Sequence, residues 1–264
     1  MSKSPLRTLT IFALLCVACL SLAAQNTPRT VHVFVALADN QNQGIVPVPA
    51  KLGNGQDPAH NLYWGSAYGV KTYFSHASQW MIVSCVQEPK SHVVERCTFR
   101  HRTQNVYLVA DAYQGNAIQT AILDFLDAAS GLKPETISVS TDGRALAFTA
   151  GGGANLIAYV GHDGLMDFTL PRLSHQQNYS KREAVILACA SKSFFAEPLR
   201  ATGAYPALWT TGLMAPEAYT LKAALDGWVN QEDYEQIRNR AAAAYNQYQH
   251  CGVKAARRLL ATGW

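Results

Sequence analysis

The chain has 264 residues, of which 48% are hydrophobic and 15% charged. At roughly 100–200 residues per domain, that is one large domain or two small ones, able to bury a core without metals or disulfides and too apolar for intrinsic disorder. The formal net charge of +4 is small and scattered, which argues against a nucleic-acid binder, and no internal repeat marks a solenoid or propeller.

Lys3 and Arg7 precede an apolar run over residues 9–22, followed by Ala23 and Ala24 and then polar Gln25 and Asn26. A basic start, a short apolar run and a small-residue exit predict a secretory signal peptide over residues 1–24. The run is shorter than the ~20 residues of a membrane-spanning helix, and no later stretch is long and apolar enough, so no membrane span is expected after cleavage. Loss of Lys3 and Arg7 takes the charge from +4 to +2. Residues 25–264 are then read as a single exported domain, secreted or periplasmic, in oxidising surroundings where disulfides persist.

In chain order, residues 31–37 read as a strand that runs into a long polar loop rich in Asn, Gly and Pro from Asp39 to Pro58. Residues 61–74 look helical, although Gly65 and Gly69 weaken them. Two apolar runs, at 80–84 and 93–99, flank a turn marked by Pro89. They predict a hairpin that places Cys85 and Cys97 for a disulfide. A strand follows at 106–110. The clearest helix is 115–130, where Ile118, Ala121, Ile122, Phe125, Leu126 and Ala129 fall on one stripe, stopped by Gly131 and Pro134. Short apolar strands are expected at 156–160, 185–188 and 207–210, and helices at 216–228 and 232–251. Strand–helix alternation with continuously apolar strands predicts an α/β fold, a mainly parallel sheet flanked by helices on both faces. Right-handed crossovers then gather the strands' carboxyl ends on one edge, where ligands bind in such sheets.

Two of those ends carry chemistry. Residues 156–160 lead into Gly161-His162-Asp163-Gly164, and residues 185–188 into Cys189-Ala190-Ser191-Lys192-Ser193, with His162 and Cys189 27 positions apart. A free thiol is mostly protonated at neutral pH, and a neighbouring imidazole can take its proton and return one to a leaving group. The N–H groups of Gly164 and Cys189 are candidate oxyanion donors. Once the leader takes Cys16 and Cys19 with it, Cys251 is the remaining cysteine. It either pairs with Cys189, or Cys189 is a free, reactive thiol. The histidines show no metal-ligand spacing, Gly151-Gly152-Gly153 precedes a strand rather than following one and reads as a turn, and no Gly-x-Ser-x-Gly occurs. Neither metal nor organic cofactor is expected.

Ala188-Cys189-Ala190-Ser191-Lys192-Ser193-Phe194-Phe195 resembles the nucleophile motif of legumain-type endopeptidases, and the strand ending Tyr159-Val160-Gly161-His162 is similar to that family's histidine strand. Tyr205 to Thr211 is similar to the strand that follows. The resemblance is to the caspase–haemoglobinase group of cysteine peptidases. It implies a caspase-like three-layer sandwich, a His162/Cys189 dyad, a peptide or protein substrate, and a histidine-orienting role for Asn40 in the loop after the first strand. Asp163 stands where that family has glycine directly after the histidine, and Lys192 replaces a small residue, so no preference for Asn, Asp or Arg is carried over. Two further readings compete with the peptidase: a non-catalytic exported binding or assembly protein on the same fold, favoured by a Cys189–Cys251 bridge, and an acyl or amide transferase using the same dyad.

Overall fold

A computed structural model describes residues 27–141 and 143–264; the expected leader lies outside them. Arg29–Ala36 forms β1, with every residue after Arg29 buried. Such an unbroken apolar strand belongs in the middle of a sheet covered on both faces. In chain order, Val70–His76 is α1, Trp80–Lys90 β2, Val93–His101 β3, Val106–Tyr113 β4 and Ile118–Ser130 α2. Pro134–Thr141 is β5, Arg144–Gly151 β6, Leu156–Val160 β7, Glu183–Leu187 β8, Ser191–Thr202 α3 and Tyr205–Thr210 β9. Ala218–Val229 is α4, Tyr234–Gln249 α5, Val253–Leu259 α6 and Leu260–Ala261 β10.

The main sheet runs β10-β9-β8-β7-β1-β4-β3-β2, with β5 and β6 forming a separate hairpin. Strands β9, β8, β7, β1 and β4 are mutually parallel, and the expected parallel sheet is this central block. The sheet as a whole is mixed, because β2, β3 and β10 pair antiparallel at its two edges. Alternation along β1 separates two cores. Val31, Val33 and Val35 pack with α1, α4 and α5, whereas Phe34 and Ala36 pack with α2 and α3. Helices therefore cover both faces. Among the described residues no helix is long and apolar enough to cross a membrane.

The α2 stripe is buried as its spacing predicts, and the helix ends on Gly131 in the left-handed conformation (φ 92°), a conformation in which a residue without Cβ is least strained. Residues 61–74 depart from expectation, since only the part from Val70 onward is helical. Asn61 is fully buried and its side chain serves the loop instead. Its Oδ1 accepts from the N–H groups of Ala38 and Tyr63, and its Nδ2 donates to the carbonyls of Ala38 and Asn54. A Cβ on Gly65 would lie 2.2 Å from the Ala59 carbonyl oxygen, so the chain doubles back there too tightly for a helix or for any other residue.

Cys85 and Cys97 sit directly opposite each other on β2 and β3 and form the expected disulfide. By loop-closure entropy a bridge over so short a segment is worth about 3 kcal/mol. The β5–β6 hairpin caps β4 through Tyr107, Val109, Ile137, Val139 and Phe148. It is also tied in by Arg96, which forks to Asp111 at 2.5 and 2.7 Å and to Glu135 at 2.5 and 2.9 Å. His32 closes this buried cluster, taking the Gly151 N–H on Nδ1 and facing Asp111 through Nε2. Burial lowers its pKa, and the adjacent Arg96 and Lys90 act in the same direction.

Counted in chain order, the parallel strands lie 2-1-3-4-5 (β4, β1, β7, β8, β9). The order reverses beside β1 and β7, the place where open α/β sheets leave a crevice at their carboxyl ends.

Candidate active site

Each candidate side chain is delivered by one of those carboxyl ends. Strand β7 is wholly buried and gives way to Gly161, where a Cβ would lie 2.9 Å from the Ala36 carbonyl oxygen. The chain thus leaves β7 pressed against the end of β1, and His162 comes next. Strand β8 ends at Leu187, Cys189 follows, and Ser191 opens α3. Between them Ala190 sits at φ 50°, a left-handed conformation that costs a residue with Cβ about 1–2 kcal/mol. The turn is held by a paired Ser–Thr clamp. Ser191 Oγ donates to Ile186 O (3.1 Å) and accepts from Thr210 N–H (3.0 Å), while Thr210 Oγ1 accepts from Ser191 N–H (3.2 Å) and donates to Ala188 O. Ala190 N–H reaches Gly212 O at 2.8 Å. So many constraints over-determine the strained residue. They turn Cys189 out of the sheet beside the amino end of α3, where the helix dipole favours developing negative charge. The first serine of the Ser-x-Ser pattern therefore shapes the turn.

His162 is 7% exposed. Its Nε2 lies 2.6 Å from Asp167 Oδ2, and Asp167 also accepts the Gly44 N–H at 3.1 Å. A single 3-10 turn, Gly164–Met166, brings Asp167 back to the imidazole. Asp163 caps that turn, its Oδ1 accepting from Leu165 N–H at 3.0 Å. With a carboxylate on Nε2, the hydrogen resides there and Nδ1 presents its lone pair; among the described residues Nδ1 has no protein partner. Asp163 is buried, its Oδ2 has no hydrogen-bond partner, and burial with the nearby Asp167 charge pushes its carboxyl up to about 7.

His162 and Cys189 line one cavity of about 340 Å³. Its walls come from the loop after β1 (residues 44–48), from Leu62 and Tyr63, from the ends of β7 and β8, and from the loop after β9 (residues 213–217). Cys189 Sγ is positioned by Met214, whose N–H donates at 3.4 Å and whose carbonyl lies at 3.5 Å. Cys189 and Cys251 are both free thiols, so the Cys189–Cys251 pairing left open by the sequence is not formed.

Two expected site residues are used differently. Gly164 N–H donates to the His162 carbonyl at 3.1 Å, and a Cβ at Gly164 would lie 2.7 Å from the Phe168 ring and 3.2 Å from Ile118. With its hydrogen on the His162 carbonyl, the Gly164 amide is engaged within its own turn. Asn40 holds its own loop, its Nδ2 donating to Val48 O at 2.7 Å and its Oδ1 accepting from Val48 N–H at 3.1 Å. With both ends of its amide committed, the partner of His162 is Asp167. Asp167 is the residue that sequence reasoning missed. Its signal was a carboxylate five positions beyond the histidine, across a Gly-containing turn with an Asp cap.

Among the described residues the one group of metal-ligating type within reach of a common ion is Cys85, Glu95 and Cys97. The two sulfurs are bonded to each other, and Glu95 already accepts from Trp64, Lys71 and Gln87, so the group is not suited to a metal. Comparison with protein-family models, with curated proteins and with solved structures found no match to this chain.

Proposed function

We propose that the protein is an exported cysteine peptidase of caspase-like, three-layer fold, similar to legumain-type endopeptidases, that hydrolyses peptide bonds with Cys189 as nucleophile, His162 as acid–base and Asp167 as the group that orients and charge-stabilises the imidazole. The observation that carries this reading is the convergence of a free cysteine and a carboxylate-paired histidine, from the ends of adjacent parallel strands, on one cavity. The Cys85–Cys97 bridge supports a secreted or periplasmic location, since such bonds persist where conditions are oxidising. A Cys189–Cys251 bridge would have favoured the non-catalytic reading; both thiols are free.

In the forward half-reaction the Cys189 thiol gives its proton to His162 Nδ1 while Sγ bonds to the scissile carbonyl carbon. The oxyanion that forms needs N–H donors. Those of Cys189 and Asp163, which have no acceptor among the described residues, are the candidates. Collapse breaks the C–N bond, and His162 passes its proton to the departing amine. Water then loses a proton to His162 as its oxygen bonds to the thioester carbon. The C–S bond breaks, the peptide acid leaves, and the proton returns to Cys189.

A peptidyl acyloxymethyl ketone tests this. Sulfur displaces the carboxylate leaving group to form a stable thioether, so intact-mass and peptide mapping should find one adduct, on Cys189. That adduct should be lost in a folded His162→Ala variant. Equal labelling of Cys189 and Cys251, or labelling indifferent to His162, would contradict the dyad.

A further inference from the structure

The cavity carries a charge that the proposed dyad does not use. Apart from His162, Cys189 and Tyr63, the one ionisable side chain lining it is Glu217. Glu217 precedes the first turn of α4 but caps no backbone N–H there. Instead its Oε2 accepts from Tyr219 Oη at 2.9 Å and from Gln249 Nε2 at 3.4 Å. Both donors are neutral, and among the described residues no Lys, Arg or His pairs with it. Burial holds its carboxyl above the ordinary range, and the Tyr219 hydrogen bond offsets part of this. A half-buried carboxylate without a counter-ion is costly unless something supplies the positive charge. The rest of the lining is mostly apolar, Leu62, Met214 and Pro216 among it, with Tyr63. Burial raises the Tyr63 phenol, and charge on Cys189 and Glu217 acts in the same direction.

A mainly apolar cavity with both a nucleophile and an uncompensated carboxylate in its lining matches a side chain with an aliphatic stem and a cationic head. Resting on the peptidase reading above, we infer that this cavity receives the side chain on the carbonyl side of the scissile bond, that the side chain is lysine or arginine, and that Glu217 selects it.

The test compares fluorogenic peptides identical except for lysine, arginine, norleucine, asparagine or aspartate before the scissile bond. Norleucine keeps the stem of lysine and removes its charge. Since a site built around a specific polar partner discriminates strongly against the analogue lacking it, kcat/KM for lysine or arginine should exceed that for norleucine by about 100-fold or more. In Glu217→Gln, checked for native circular dichroism, that ratio should collapse to within about tenfold of unity. Norleucine, asparagine or aspartate cleaved as well as lysine, or a ratio that survives Glu217→Gln, would overturn the inference while leaving the dyad standing. Failure of every peptide, together with no ketone adduct on Cys189, would instead remove the peptidase reading and this inference with it.

Discussion

Asp167→Asn should lower kcat for peptide hydrolysis by about 10²–10⁴-fold while leaving KM within a few-fold, the scale seen when the carboxylate of a nucleophile–histidine–carboxylate set becomes an amide. The geometry gives two reasons. The 2.6 Å contact between Asp167 Oδ2 and His162 Nε2 fixes the tautomer in which Nδ1 can accept the thiol proton, and the amide can instead donate to Nε2 and reverse that tautomer. The carboxylate also offsets the positive charge that the ring gains in the transition state, which an amide does not. Since the Asp167 side chain is 39% exposed and lies on a surface turn, the substitution should barely alter stability, so steady-state kinetics beside thermal unfolding separates the two effects. A kcat within threefold of wild type would reduce the Asp167 contact to a structural one.

The second large effect is on stability and comes from Asp163. Its carboxyl is pushed up to about 7, first by burial and then by the neighbouring Asp167 charge, against the pull of the Leu165 N–H. An unfolded Asp titrates near 3.9. Between those values the folded state keeps a proton that the unfolded state has released, so folding is progressively penalised as pH rises from about 4 to about 7, and the penalty is constant above that window. At ~1.4 kcal/mol per unit, discounted for partial solvation, the total is on the order of 2–4 kcal/mol. Urea unfolding should therefore show wild type losing more stability between pH 5 and pH 8 than Asp163→Asn, a variant that keeps the Oδ1 cap on Leu165 and cannot ionise. Parallel pH profiles for the two proteins would show that Asp163 does not titrate in this range. The same pair of measurements bears on the site, because ionising Asp163 puts a second negative charge beside His162 and Asp167.

Much of this frame was legible in the sequence because the determining signals were local. The apolar runs at 156–160 and 185–188 had to be central strands, and what followed them had to emerge at one sheet edge, so His162 and Cys189 could be brought together without coordinates. The stripe from Ile118 to Ala129 and the opposed Cys85 and Cys97 were equally direct. What escaped was decided by tertiary hydrogen bonds. Asn40 reads as a loop asparagine and Asn61 as the start of a helix, yet each has a side-chain amide committed to backbone partners that only the folded loop reveals. Gly164 appeared open to a substrate, but its amide donates to the His162 carbonyl within the turn that Asp163 caps. The β5–β6 hairpin went unseen although Ile137, Val139, Leu146 and Phe148 alternate on either side of Asp142-Gly143, a hairpin-type turn pair. Glu217 carried no sequence signal, because what sets it apart is the lack of a Lys, Arg or His partner among the described residues.

Cleavage of a diverse peptide library, read by mass spectrometry with wild type and Cys189→Ala side by side, tests the central claim most directly. The account predicts new peptide termini with wild type under reducing conditions that keep the thiol free, and none above background with Cys189→Ala at the same concentration. Matching cleavage by both proteins, or none by a wild-type protein whose Cys189 is demonstrably reduced, would contradict it.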